Sequence, residues 1–267
     1  MANYDDLKNL LSQMGGVVVG YSGGVDSTFL ARAATDTLGE KAICVLIESC
    51  LVPESEIDDA VAIAADLGLN LIRLKVDALS IENVPDNNPD RCYHCKKSLF
   101  SNIVTIAKDH GLSYVLDGAN ASDESDYRPG TQATSELGVR SPLKELDITK
   151  EQVRAMARDL GLSIWNKPSY ACLASRVPYG TRLTVDILKR IEKAEIFLQN
   201  QGFRQFRVRH HDNVARIELM QIEMEKILVP TMRNAIIREF KQLGYTYTSL
   251  DLAGYRSGSL NETLDIF

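Results

Sequence analysis

The chain has 267 residues, 45% hydrophobic and 25% charged, with a formal net charge of −6. These are the proportions of a soluble globule large enough to bury a core without staples, which excludes a low-complexity or collagen-like chain. The acidic balance speaks against a non-specific nucleic-acid binder, and no apolar run reaches bilayer length, so neither nucleic acid nor membrane is an expected partner.

Elements alternate from the N-terminus. Residues 5–14 read as an amphipathic helix. Residues 16–21, G-V-V-V-G-Y, are apolar throughout, the pattern of a strand buried in a parallel sheet. A helix is expected over 25–38 and a strand over 42–48. A helix over 53–67 starts at Pro53, where a missing N–H costs nothing. A strand over 70–76, a loop over 77–88, a helix over 91–110 and a strand over 114–116 follow. Helices between strands predict right-handed crossovers and a parallel, doubly wound α/β sheet.

Residues 121–130 are polar and turn-rich. Thr149 and Gln152 form a capping-box pattern opening a helix to about residue 160. The stretch 166–182, N-K-P-S-Y-A-C-L-A-S-R-V-P-Y-G-T-R, breaks the regularity. It sets two domains, 1–167 and 168–267. The second holds a helix over 184–201, strands near 206–210 and 214–219, a long helical region over about 221–243 and a strand over 245–252, a small α+β unit. Residues 168–267 carry 14 Lys+Arg and 11 Asp+Glu against 16 and 25 in residues 1–167, so the C-terminal part suits an anionic ligand. The odd number of cysteines, five, argues against a disulfide framework. The start M-A-N-Y-D-D-L-K lacks the basic and apolar regions of a signal peptide. A cytoplasmic location is expected, where disulfides are rare.

Ser22, Gly23, Gly24, Val25, Asp26 and Ser27 follow the first strand and open a helix. Glycines let backbone approach an anion closely, and the free N–H groups and dipole of a helix start hold phosphate. The Ser22 and Ser27 hydroxyls add donors; Asp26 caps the helix or helps hold Mg²⁺. A Gly-Gly turn with a Ser/Asp cap is the plainer alternative. The loop lacks the G-K-[ST] of a Walker A motif.

S-G-G-V-D-S resembles the signature of the PP-loop ATP pyrophosphatases, a resemblance that implies cleavage of ATP between the α- and β-phosphates to give an adenylate. Further stretches resemble one branch of them, the LarE proteins: D-G-A-N-A-S-D-E-S-D-Y-R-P-G (117–130), W-N-K-P (165–168), S-R-V-P-Y-G-T (175–181), R-V-R-H-H-D-N-V-A-R-I-E (207–218) and L-D-L-A-G-Y-R-S-G (250–258). These run over essentially the whole chain. The resemblance implies an ATP-dependent sulfur transferase of nickel-pincer nucleotide biosynthesis. Its substrate is pyridinium-3,5-biscarboxylic acid mononucleotide, a carboxylate of which is adenylated and converted to a thiocarboxylate. It also implies a homo-oligomer, with a hexamer as the candidate assembly, and a separate source of sulfide.

Cys92 and Cys95, in D-R-C-Y-H-C-K-K, and Cys172, in Y-A-C-L-A-S-R, match the branch of that family in which three cysteines hold a four-iron, four-sulfur (4Fe-4S) cluster. The other branch sacrifices the sulfur of one cysteine. Thiolates suit cluster iron, and Cys92 and Cys95 at i, i+3 share a helix face. Three ligands would leave one iron open for an added sulfide. A zinc site completed by Cys172 with His94 or His110, a redox pair, and a sacrificial Cys172 are the competing readings. Cys44 reads as buried and structural; Cys50, at a strand's C-terminal end, does so too.

Arg207 and Arg209 lie two apart on one strand and share a sheet face. With Arg216, Arg256 and Arg128 they are candidates for substrate phosphate, since guanidinium forks suit it; an exposed charged face is the alternative. Asp123 and Glu124 are candidates for Mg²⁺ or substrate. Lys96 and Lys97 neutralise phosphates or cluster, or are surface charges. Glu218 pairs with an arginine or orients substrate. His210 and His211 point to opposite faces and cannot share a metal. A tRNA-thiolating enzyme with a similar cluster, an amide-forming ligase that needs no cysteines, and a non-catalytic nucleotide or zinc module are the competing functions.

Overall fold

The computed structural model describes residues 2–125, 129–168, 170–256 and 258–264, with the backbone alone for Glu124, Ser125 and Pro129. The chain forms two compact units: Met1–Ile81 with Asp90–Tyr170, and Glu82–Pro89 with Ala171–Phe267. This differs from a single division at 167/168, because residues 82–89 go with the C-terminal unit. There the Asn87 side-chain amide donates to the carbonyls of Val177 (3.1 Å) and Pro178 (2.8 Å). The Leu183 amide donates to the Pro85 carbonyl at 2.7 Å. Contacts some ninety residues apart leave no local sequence pattern.

The first unit runs α1 (Tyr4–Ser12), β1 (Val17–Tyr21), α2 (Val25–Leu38), β2 (Ala42–Glu48), α3 (Glu54–Asp66), β3 (Asn70–Lys75), α4 (Arg91–Asp109), β4 (Tyr114–Leu116), α5 (Pro129–Glu136), α6 (Pro142–Glu145) and α7 (Lys150–Asp159). All four strands are parallel, in the order β3-β2-β1-β4. Alternate residues of the strands point to opposite faces. Val17, Val19, Tyr21, Cys44 and Leu46 pack with Leu7, Phe29, Ala60 and Val153 of α1, α2, α3 and α7. Val18, Ile43, Val45 and Val115 pack with Ile103 and Ala107 of α4. Both faces are covered, which explains the uninterrupted apolar run in β1. The strand order reverses at β1, between β2 and β4, and the carboxyl ends of β1 and β4 flank that switch point, where open α/β sheets bind ligands.

The second unit runs α8 (Val185–Asn200), β5 (Phe206–His211), β6 (Val214–Leu219), α9 (Met224–Leu228), α10 (Pro230–Gln242) and β7 (Tyr247–Leu250). β5 and β6 are antiparallel and β7 joins β6 in parallel. Ala194 and Leu198 of α8 and Ile236 and Phe240 of α10 pack on Phe206, Val208, Ala215 and Ile217. The helical region expected over 221–243 is broken: Pro230 stands at the start of α10, where its missing N–H ends one helix and suits the start of another. α5 starts at the end of the polar stretch 121–130 and runs on through residues for which the sequence suggests no element. Among the described residues no helix is long and apolar enough to cross a membrane.

Candidate active site

The loop between β1 and α2 is built for close approach. Gly23 has φ +70°, and an added Cβ would lie 2.6 Å from the Ala60 Cβ. That is a left-handed position with no room for a side chain. The Tyr21 hydroxyl donates to the Ala60 carbonyl at 2.9 Å, so α3 backs the loop. Ser22 and Ser27 Oγ are 2.9 Å apart, and the Ser22 amide donates to Ser27 Oγ at 3.2 Å. Ser27 is thus a brace within the loop, while Ser22 is exposed. Gly24 is the N-cap residue of α2 and offers no side-chain cap. The first-turn amides of Val25, Asp26 and Ser27 therefore lack the acceptor that Asn3 and Thr149 supply to α1 and α7.

The loop after β4 closes on the same helix start. An added Cβ on Gly118 would lie 2.9 Å from the Ser27 amide nitrogen. Asp117 Oδ1 accepts from Ser141 Oγ (2.6 Å) and from the Ala119 amide (3.1 Å). Asp123 Oδ2 accepts from the Asn120 amide at 3.0 Å, which makes Asp123 a turn former in this structure. The Glu124 side chain and all of Arg128 lie outside the described residues.

Asp26 is where the sequence reading was incomplete. Its Oδ2 is paired with Lys150 Nζ, while Oδ1 is buried with no hydrogen-bond partner. It does not cap α2. A buried carboxylate oxygen left open is an acceptor that fits Mg²⁺, a hard cation that takes oxygen ligands. Lys150 itself escaped notice: it lies 124 residues from Asp26 in the chain, in no phosphate-binding pattern.

Cys92 and Cys95 lie on the first two turns of α4, half-buried and outside any disulfide. Arg91 Nη2 is 3.7 Å from Cys92 Sγ. Lys97 is held by Glu136 (2.9 Å) and by the Tyr93 hydroxyl (2.7 Å), a surface cluster on α4 and α5. Lys97 and then Tyr93 hold the Glu136 carboxyl down to about 2. The aliphatic part of Lys96 lies against Gly130. Cys44 is fully buried, and burial pushes its thiol up to about 12, as befits a structural residue. Burial, with Asp77 behind it, also raises Cys50.

Cys172 belongs to the second unit, half-buried and likewise outside any disulfide. It precedes the short turn Leu173–Arg176, and its carbonyl accepts from the Ser175 amide (3.0 Å), Ser175 Oγ (2.8 Å) and Arg176 Nη1 (3.1 Å). Arg176 is fully buried and forms two bonds, 3.0 and 2.9 Å, to Glu195 of α8. Among the described residues no three His, Cys, Asp or Glu side chains stand together as a metal-binding group.

The arginines of the second sheet are not an exposed charged face. Arg207 and Arg209 are each 6% exposed. Arg209 makes bonds of 2.9 and 2.8 Å to Glu218, 2.6 Å to the Ser175 carbonyl and 2.6 Å to Ser259 Oγ. Arg207 lies over the Tyr255 ring at 5.1 Å and donates to the Phe206 carbonyl at 2.6 Å. Arg216 stands opposite Arg209 across the hairpin and meets Asp251 at 3.0 Å, its Nε buried without a partner. Arg256 is bonded to Glu262 at 2.9 and 3.2 Å. Glu218, fully buried, is the carboxylate that neutralises the Arg209–Arg216 pair. His210 is buried beside Tyr245 and burial lowers its pKa, whereas His211 is exposed.

A family model described as NAD synthase matches residues 4–89. The chain is 42% identical over 249 residues to the pyridinium-3,5-bisthiocarboxylic acid mononucleotide synthase of Lactiplantibacillus plantarum, covering 93% of this chain and 90% of that protein. It is 40% identical over 261 residues to an uncharacterized protein of Synechocystis, 97% of both chains. An uncharacterized protein of Methanocaldococcus jannaschii is 31% identical over 241 residues, 90% of this chain and 91% of its own.

Proposed function

Because this chain belongs to the LarE family of PP-loop enzymes, we propose that it is the ATP-dependent sulfur transferase which makes the thiocarboxylate of a pyridinium mononucleotide. The observation that carries this reading is the full-length similarity to a pyridinium-3,5-bisthiocarboxylic acid mononucleotide synthase, over a loop whose helix start has no cap. The substrate is pyridinium-3,5-biscarboxylic acid mononucleotide. A carboxylate oxygen attacks the α-phosphorus of ATP, and pyrophosphate leaves with the bonding electrons. Sulfide then displaces AMP from the acyl carbon. Adenylation is needed because a carboxylate oxygen is a poor leaving group and AMP a good one.

The chain's own residues divide the work. The amides of Val25, Asp26 and Ser27 bind phosphate, and Asp26 Oδ1 is the candidate ligand for Mg²⁺, which would offset charge on the phosphates. Arg216 of β6 and Arg256 of the loop after β7, more exposed than Arg207 and Arg209, hold the mononucleotide phosphate, with Arg207 and Arg209 behind them. Glu124 and Arg128 remain candidates for substrate contacts. Cys92, Cys95 and Cys172, half-buried thiols outside any disulfide, are the residues that would hold a 4Fe-4S cluster. Such a cluster would supply sulfide renewed from an external source. The protein acts as a homo-oligomer in the cytoplasm.

The test is pyrophosphate release by oxygen-free protein given Mg-ATP, sulfide and the biscarboxylated mononucleotide. Release that depends on the mononucleotide, with a product in which sulfur replaces oxygen, is expected. Release without sulfur incorporation, with an amide formed from ammonia instead, would move the enzyme to the amide-forming ligases. Cys92→Ala, Cys95→Ala and Cys172→Ala are each expected to end repeated turnover. Many turnovers surviving any one of them would remove the cluster. A single turnover with loss of sulfur from Cys172 would make that residue the sacrificial donor.

A further inference from the structure

Arg207, Arg209, Arg216 and Glu218 share one face of the second sheet, and α8 and α10 cover the other. Two short segments reach the arginine face through a single side chain. Arg209 Nη1 donates to the Ser175 carbonyl and Nη2 to Ser259 Oγ, each at 2.6 Å, while Nε and Nη2 hold the Glu218 carboxylate. Ser175 closes the turn that follows Cys172: its amide and hydroxyl donate to the Cys172 carbonyl at 3.0 and 2.8 Å. The turn has a second cationic anchor, Arg176, which bonds the same carbonyl at 3.1 Å. The two anchors differ. Arg176 is fully buried and bound to Glu195, with no access for a ligand. Arg209 shares Glu218 with Arg216, whose Nε is an open donor. A guanidinium prefers an oxyanion to a neutral acceptor. A phosphate on this face therefore draws Arg209 from Ser175 and Ser259 before it displaces Glu218.

We propose that Arg209 couples phosphate occupancy of the arginine face to the freedom of the Cys172 turn. This rests on the reading of that face as the site of the mononucleotide phosphate. With the face empty, Arg209 holds the Ser175 carbonyl and the turn is closed. When a phosphate monoester binds, Arg209 turns to its oxygens, the Ser175 carbonyl is released, and the backbone after Cys172 loosens. Arg176 keeps the turn attached to α8, so the change is local. No covalent bond is made or broken in this step. Its consequence is order: the backbone that carries the Cys172 sulfur becomes mobile only when a phosphate-bearing acceptor is present. Arg209 is thus a positioning residue for Cys172, acting through Ser175, in addition to its part in binding.

The experiment is amide hydrogen exchange over residues 171–177 of the full-length protein, purified without oxygen. It is measured alone and with nicotinamide mononucleotide, nicotinamide riboside or inorganic phosphate, and calorimetry follows the binding of each. The Ser175 and Val177 amides report the turn, since they donate to the Cys172 and Ala174 carbonyls. The mononucleotide and phosphate are expected to speed their exchange roughly tenfold, the scale of one lost hydrogen bond. The riboside, which lacks the phosphate, should leave it unchanged. Arg209→Lys keeps a cation beside Glu218 but cannot serve three acceptors from one fork. Its turn should exchange fast without ligand and gain nothing from the mononucleotide. Exchange that stays the same or slows while calorimetry shows the mononucleotide bound would overturn the proposal. So would equal acceleration by the riboside, or an Arg209→Lys turn as slow as the wild type's. A wild type that binds neither the mononucleotide nor phosphate would overturn the phosphate reading of the face, and the proposal with it.

Discussion

The loop ahead of α2 and the arginine face of the second sheet both offer positive charge to an anion, and they hold it in opposite states. The first has donors without acceptors: amides with no cap, and a carboxylate with one oxygen unmet. The second has its guanidinium charges already paired, with Glu218, Asp251 and Glu262 threaded between Arg209, Arg216 and, in the loop after β7, Arg256, although Arg216 Nε itself has no partner. The difference follows from chemistry. A backbone amide carries a partial charge and tolerates waiting with water, whereas a guanidinium buried to 6% exposure requires a carboxylate or it destabilises the fold. An anion at the loop would meet open amides, whereas at the sheet it would compete with carboxylates. The outer arginines of that sheet are therefore the adaptable ones.

The widest gap between the two regions should appear in stability. Arg209→Ala removes the closer of the two guanidinium partners of the buried Glu218, leaving Arg216 at 3.4 Å, and is expected to cost roughly 3–5 kcal/mol of unfolding free energy. Denaturant melts of the purified variant measure this. A loss below about 1 kcal/mol would mean that the sheet arginines are as free as the loop amides. Asp26→Ala should do the reverse. Pyrophosphate release should fall about tenfold or more, equivalent to ~1.4 kcal/mol on the barrier, with the melt unchanged. An unaltered rate would take Asp26 out of the phosphate site.

Arg256→Ala tests the outer rim of the arginine face. Its guanidinium is about one-third exposed and bonded mainly to Glu262, so the expected result is weaker mononucleotide binding at constant melting temperature. The smallest effect belongs to Glu136, away from both regions. Its carboxyl is held down to about 2, below its ordinary value, chiefly by Lys97. The stabilisation it gives is therefore complete at neutral pH and fades as pH falls from about 4.5 toward 2. Comparing the wild type with Glu136→Gln, the difference in melting temperature should be small at neutral pH and vanish only below about pH 2. A difference that grows in acid would show that the Lys97 pairing does not form in solution.

Legibility followed the range of the interactions. The strands β1, β2 and β4, the helix α2 and the Thr149 cap could all be read from the sequence, because apolar runs, glycines and capping residues act on near neighbours. The glycine loop between β1 and α2 could be read too, since small residues between a strand and a helix are themselves the device. Lys150 could not, for its partner is set by where α7 lands beside the switch point. Nor could the burial of Arg207 and Arg209, which depends on Glu218 across the hairpin and on Ser175 and Ser259 far along the chain. The division between α9 and α10 was available in Pro230, whose effect was outweighed by the helical pattern around it. Nothing in the sequence singled out Glu195, on the helix expected over 184–201, as the buried partner of Arg176.

The strip Glu82–Pro89 gives the molecule a history of assembly. During synthesis it leaves the ribosome well before Val177, Pro178 and Leu183, whose backbone it pairs with. Its Asn87 amide must stay with water until that later chain arrives. The first unit thus emerges with an unfinished eight-residue excursion in its middle. The same arrangement defeats dissection by a single cut. A piece ending at Tyr170 carries a strip with nothing to bind, and a piece beginning at Ala171 lacks the strip it folds around. Separable halves would need Ile81 joined to Asp90 by a short flexible linker, and residues 82–89 fused ahead of Ala171.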